Sequence, residues 1–156
     1  MNRYIPLVVL LVLIGAFSII YGPGIYRGLQ FKRASSEMLR ELKAGRLSAA
    51  IGYIEPAQQA GVSALTQRLP ADYQQHIASL KLTHWERADR ETIWAVVTLR
   101  LQDDAGSGLY QGKLRWQYSQ GRWWIDFSRS YGAPATLSGE PEWRELVDLL
   151  ELIRHI

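Results

Sequence analysis

Apolar and polar positions divide the chain into three regions of different period. From Tyr4 to Tyr26 there are 23 consecutive residues without a charge, and residues 7–14 are apolar on every side. A helix of that length reaches about 35 Å, enough for a hydrocarbon core of about 30 Å. Tyr4, Tyr21 and Tyr26 stand where interfacial aromatics belong. The pattern predicts an uncleaved, single-pass transmembrane anchor over residues 1–27, with the lipid bilayer as partner through residues 4–26. A cleaved signal peptide is the competing reading. Its apolar core runs about 7–15 residues and ends at small residues, whereas Ala16, Phe17, Ser18, Ile19 and Ile20 continue the run here. A two-residue head before Arg3, then a long apolar run, is how an export signal starts. It places the following domain on the outer, periplasmic side of the cytoplasmic (inner) membrane. The basic flank of Arg27, Lys32 and Arg33 argues for the opposite orientation.

Helical spacing follows. Residues 28–44 read as a helix with Phe31, Met38 and Leu42 on its apolar face, ended by Gly45. Shorter helices are predicted over 47–54, 58–69 and 71–79, with Pro70 at a first-turn position. The period then drops to two, the signal for strands. Leu80, Leu82 and His84 alternate with Lys81, Thr83 and Trp85. Ile93, Ala95, Val97, Leu99 and Leu101 alternate with Trp94, Val96, Thr98, Arg100 and Gln102. Residues 103–108 form a turn by composition, and Tyr110, Leu114, Trp116 and Tyr118 begin the next strand.

Gln120-Gly121 closes a hairpin whose register can be counted outward as a two-residue loop. One face pairs Tyr118 with Trp123, Trp116 with Ile125 and Leu114 with Phe127. The other pairs Gln117 with Trp124, Arg115 with Asp126 and Lys113 with Ser128. An apolar face backed by a cation opposite an anion makes the register self-consistent, and a one-residue slip destroys both features. After residues 132–139, Pro141 starts a C-terminal amphipathic helix with Trp143, Leu146, Val147, Leu150 and Ile153 on one stripe. The expected domains are therefore the anchor over 1–27, an α+β domain over 28–132, and a loop with the amphipathic helix over 133–156.

Charge sharpens this picture. Residues 27–132 carry fifteen cations against ten acids, while residues 133–156 carry two against five. An acidic, apolar-striped helix beside a basic body docks on its own domain or on a partner. The absence of cysteine excludes a disulfide framework, a thiolate metal site and a Cys nucleophile. The basic residues lie on several strands with acids among them and form no run of five, so no nucleic-acid partner is expected.

Helices first, then an antiparallel sheet ending in a Trp-rich hairpin, resembles the NTF2-like (cone-shaped α+β) superfamily. The resemblance rests on residues 38–51, similar to that family's first helix, glycine break and second helix, and on residues 121–127, similar to its final strand. It implies helices packed on a curved sheet with a pocket between them. The superfamily includes isomerases, hydratases, dimeric scaffolds and, with an N-terminal anchor, secretion-system subunits of the VirB8 type.

Candidate pocket residues are Tyr110, Trp116, Tyr118 and His84, and a small apolar ligand is the expected occupant. His84 and Glu86 share a strand face and could form a base or proton shuttle, although a solvated pair explains them as well. Asp126 is better explained by the ion pair with Arg115 than as a catalytic base. No catalytic, cofactor-binding or metal-ligating set emerges: His76, His84 and His155 have neither paired spacing nor Cys partners. Six tryptophans exceed what a small core needs. Trp94 and Trp124 share faces with Arg100, Arg115 and Gln117, and these four residues, Trp94, Arg100, Arg115 and Trp124, form the candidate interface for a protein partner or a homodimer. The competing reading places the C-terminal helix over the two tryptophans. The expected function is a membrane-anchored interaction or ligand-binding module at an envelope complex, without catalysis. A small pocket enzyme of isomerase or hydratase type is the alternative.

Overall fold

Local sequence signals account for the first helical elements of the computed structural model. It describes residues 5–67, 69, 71–103, 106–134 and 144–146, with the side chains of residues 5–22, 103 and 134 left outside the description. Helix α1 runs over Ile5–Lys43 with Pro23 inside it. It stops at Gly45, whose φ of +78° suits a residue without Cβ. There the Gly45 N–H donates to the Leu42 carbonyl and the Arg46 N–H to the Glu41 carbonyl, the paired bonds of a Schellman motif. The Arg46 guanidinium also clamps the Glu41 carboxylate, which holds that carboxyl below its usual range, the hydrogen bond being the largest cause. Helix α2 covers Leu47–Ile51. Helix α3 covers Pro56–Thr66 and opens with proline in its first turn, where no N–H is needed.

Two compact units partition the chain, Met1–Arg33 and Ala34–Ile156. The expected transmembrane helix is corrected here: among the described residues, no helix is long and apolar enough to cross a membrane. Described side chains begin at Pro23, and from Arg27 onward α1 carries Lys32, Arg33, Glu37, Arg40, Glu41 and Lys43. So frequent a charge suits an aqueous surface. The side chains of the apolar run over residues 5–22 lie outside the described residues.

Five strands follow: β1 (Ile77–Arg87), β2 (Thr92–Asp103), β3 (Gly106–Ser119), β4 (Arg122–Pro134) and β5 (Arg144–Glu145). They form one antiparallel sheet in chain order. Where a helix is expected over 71–79, only a 3-10 turn forms at Tyr73–His76. Ile77 instead opens β1 by pairing with Leu101, so sheet pairing overrides local spacing. A second correction falls on the C-terminus. The helix expected from Pro141 is replaced at Arg144–Glu145 by β5, which pairs with Tyr131 and Gly132. Residues 147–156 lie outside the described residues.

One face of the sheet holds the core. Ile93, Ala95, Val97, Trp116, Trp123 and Ile125 are buried and all fall on this inner face by register. Met38, Ala50 and Val62 are buried apolar residues of the helices, and Ile54 is buried in the segment between α2 and α3. The segment after α2 is stitched directly to β4: the Glu55 N–H donates to the Ile125 carbonyl, and the Ile125 N–H to the Tyr53 carbonyl. Gln120 and Gly121 both have positive φ, the conformation that lets a two-residue loop match strand twist.

Candidate functional site

The hairpin register fixes which side chains share the outer face. Ser119, Tyr118, Gln117, Trp116 and Arg115 oppose Arg122, Trp123, Trp124, Ile125 and Asp126 respectively. Beyond Asp126 the count changes. Lys113 opposes Tyr131, so residues 127–130 bulge out and neither Leu114–Phe127 nor Lys113–Ser128 pairs. Ser130 closes the bulge, accepting the Arg115 N–H at 3.0 Å and donating to the Asp126 carbonyl at 2.7 Å. A second irregularity lies in β1 between Leu82 and His84. It sends His84 to the outer face opposite Val96 and leaves Trp85 opposite Ala95 on the inner face.

Two rows of side chains therefore cross the outer face. Glu86, Trp94, Arg115 and Asp126 form one. His84, Val96, Lys113, Tyr131 and Glu145 form the next. Trp94 and Tyr131 meet diagonally with ring centroids 6.0 Å apart. The Lys113 ammonium lies 5.3 Å from the Trp94 ring centroid. Trp94, Tyr131, Lys113 and Arg115 are half-buried, and His84 and Glu86 are exposed.

At one margin the cluster is locked into the fold. The Asp126 carboxylate is nearly buried and accepts from Arg115 Nη1 at 2.7 Å, Ser128 Oγ at 2.8 Å and Gln58 Nε2 at 3.0 Å. Burial alone raises its pKa. The hydrogen bonds from Gln58, Ser128 and Arg115 outweigh burial, and the carboxyl is held below its ordinary range. Gln58 Oε1 also accepts the Ser128 N–H at 3.1 Å, so the network pins α3 to the bulge. Oδ1 takes two of these bonds and Oδ2 one, and together they tie the carboxylate to α3, β3 and the bulge.

Trp124 belongs to a separate group. Arg122 stacks over it at 4.0 Å, and its Nε1 donates to the Ser119 carbonyl at 3.2 Å. Arg122 also lies 6.0 Å from the Tyr53 ring. The Tyr53 hydroxyl donates to Glu37 at 3.0 Å, and burial, reinforced by that carboxylate, raises its pKa.

Of the four candidate interface residues, Trp94 and Arg115 are cross-strand neighbours. Trp124 is held by its own hairpin. Arg100 lies six positions from Trp94, about 20 Å along β2. The four candidate pocket residues do not converge. Trp116 is wholly buried in the core, and Tyr118 packs edge-on to Trp123 at 5.3 Å. Tyr110 is 43% exposed at the far end of β3, and His84 is on the opposite face. Lys113 and Tyr131 complete the outer cluster without having been singled out in the sequence. The β4 bulge brings Tyr131 into register, and no local signal marks its length. Among the described residues, no group of three or more His, Asp or Glu is placed to hold a metal ion. No family model, curated protein or solved structure matches this chain, and nothing identifies an NTF2-like domain.

Proposed function

We propose that the chain is a non-catalytic protein-interaction module whose contact surface is the outer sheet face centred on Trp94. The observation that carries this reading is the Trp94–Tyr131–Lys113 cluster, left partly exposed on the face opposite the core. Aromatic residues framed by cations are enriched at interface centres, where a few of them supply most of the binding energy. The titratable groups fit the same reading. Asp126 is hydrogen-bonded to Arg115, Gln58 and Ser128, and His84 stands on the sheet face opposite the other candidate pocket residues. A protein partner and a second copy of the chain are both occupants of suitable chemistry.

The test is association of the full chain and its Trp94→Ala/Lys113→Ala variant, by sedimentation for self-association and chemical cross-linking for other partners. The variant is expected to melt within a few degrees of the parent and to lose association. Unchanged association in a folded variant overturns the proposal.

A further inference from the structure

We propose that the free edge of β1 pairs antiparallel with β1 of a second copy, with Lys81 of each copy opposite Glu86 of the other, so that two sheets join into one. The inference goes beyond the outer-face reading and uses different residues. β1 ends the sheet: among the described residues, β2 is its only strand neighbour. An edge strand of eleven residues presents a row of unpaired N–H and C=O groups, a template for another chain. Bulges and lysines are common devices against such pairing, and β1 has both. Their spacing here gives them the opposite effect.

Thr83 is the extra residue of the β1 bulge, because Leu82 opposes Val97 while His84 opposes Val96. Leu80, Leu82, Trp85 and Arg87 take the inner face by register, and Lys81, His84 and Glu86 the outer. Thr83 Oγ1 lies 3.1 Å from Thr98 Oγ1, opposite Lys81's side of the sheet, so Thr83 is outer as well. Side chains directly opposite in an antiparallel pair must share a face. With Lys81 set opposite Glu86, Leu80 meets Arg87, Leu82 meets Trp85 and Thr83 meets His84. Every pair then matches in face, each occurs twice about the two-fold axis, and bulge opposes bulge. A one-residue shift sets Leu80 or Leu82 against Glu86, inner against outer. A two-residue shift mismatches the centre, as Leu82 with Thr83 or His84 with Trp85. Wider shifts match only one side of the bulge. Lys81 and Glu86 are exposed, and neither has an ion-pair partner among the described residues. Leu82 and Trp85 are half-buried, and their pairing carries the apolar inner face across the join.

The chain has no cysteine, and residues directly opposite across an antiparallel pair are within disulfide reach. Full-chain Lys81→Cys and Glu86→Cys are therefore oxidised mildly, each alone and as an equal mixture. In the mixed dimer the two thiols face each other at one end, while Glu86 and Lys81 keep their ion pair at the other. The mixture is expected to give several-fold more reducible dimer than either variant alone. It should also exceed a mixture of Lys81→Cys with His84→Cys, which reports the register shifted by two. Dimer no greater in the mixture than in the single variants, or as great in the His84→Cys mixture, overturns the proposal. Charge reversal gives a second readout by sedimentation. Lys81→Glu and Glu86→Lys each set like charges opposite one another and should weaken self-association about tenfold, and mixing the two should restore it. No recovery on mixing overturns the pairing. The outer face is scored separately, by cross-linking of Trp94→Ala/Lys113→Ala to other partners, because self-association through β1 persists in that variant. If the mixed disulfide forms and the variant still cross-links like the parent, the β1 pairing stands and the outer-face reading fails. If cross-linking is lost and no mixed disulfide forms, the outer-face reading survives and the β1 pairing is overturned.

Discussion

Asp126→Ala probes the polar bolt between α3 and the β4 bulge. The substitution removes the acceptor for Arg115 Nη1, Gln58 Nε2 and Ser128 Oγ together. Breaking a fully buried ion pair by deleting one partner costs about 3–5 kcal/mol, because the remaining charge stays desolvated. Here the Arg115 side chain is 16% exposed and keeps Gln117 Oε1 at 3.0 Å. Gln58 keeps Glu55 and Ser128. Partial rescue by water and these neighbours brings the expected loss to about 2–3 kcal/mol. Asp126→Asn retains one acceptor oxygen and the side-chain shape, so it should cost less, about 1–2 kcal/mol. The Arg115→Ala/Asp126→Ala double variant should fall short of the sum of the singles, since neither charge is then left alone. Urea unfolding of the full chain reads these differences as midpoint shifts at constant slope. An Asp126→Ala midpoint within about 0.5 kcal/mol of the parent, the ordinary range for surface positions, refutes the reasoning.

Three further outcomes follow from the same geometry. Trp116→Ala and Trp123→Ala empty fully buried sites and should each cost about 3–5 kcal/mol in urea unfolding, unlike the partly exposed Trp94. In acid, the lowered pKa of Asp126 means that its contribution is present above its unfolded value of 3.8 and is lost as pH falls through the lower folded value. Asp126→Asn should therefore flatten the acid limb of the stability–pH curve and leave the neutral limb parallel to the parent. Gly45→Ala forces an L side chain to φ +78° and sets its Cβ 3.2 Å from Gln74 Cδ, so thermal melts should show a loss of about 1 kcal/mol or more.

What was legible in the sequence was local. The 119–122 turn, the pairing out to Arg115–Asp126 and the inward set of β2 follow from period-two alternation and a two-residue loop. Gly45 as the end of a helix was legible for the same reason, since it depends on one residue's conformational freedom. What failed was set at a distance. The β4 bulge is held by Gln58, 68 residues from Asp126, and by a Ser130 hydroxyl that no periodicity marks. The β1 irregularity turns His84 outward, so a residue counted among the pocket candidates sits on the other face. Residues 77–79 read as helix by spacing, yet the pairing of Ile77 with Leu101 draws them into the sheet. The outer cluster was partly visible: Trp94, Arg115 and Lys113 by alternation, Tyr131 only once the bulge is known.

A sheet whose spatial order equals its chain order also has a consequence for how the domain assembles. β1 to β4 can form by successive hairpins, each closing over a short stretch, so these contacts demand little loop-closure entropy. The join between the Tyr53–Glu55 segment and Ile125 is different in kind. Arg122 and Gly52, which meet beside it, are 70 residues apart. Contacts of that sequence separation are slow to find and become worthwhile only once their partners are already positioned. The meander thus serves as a template on which α2 and α3 are captured, with Gln58 and Asp126 as the latch that records their arrival.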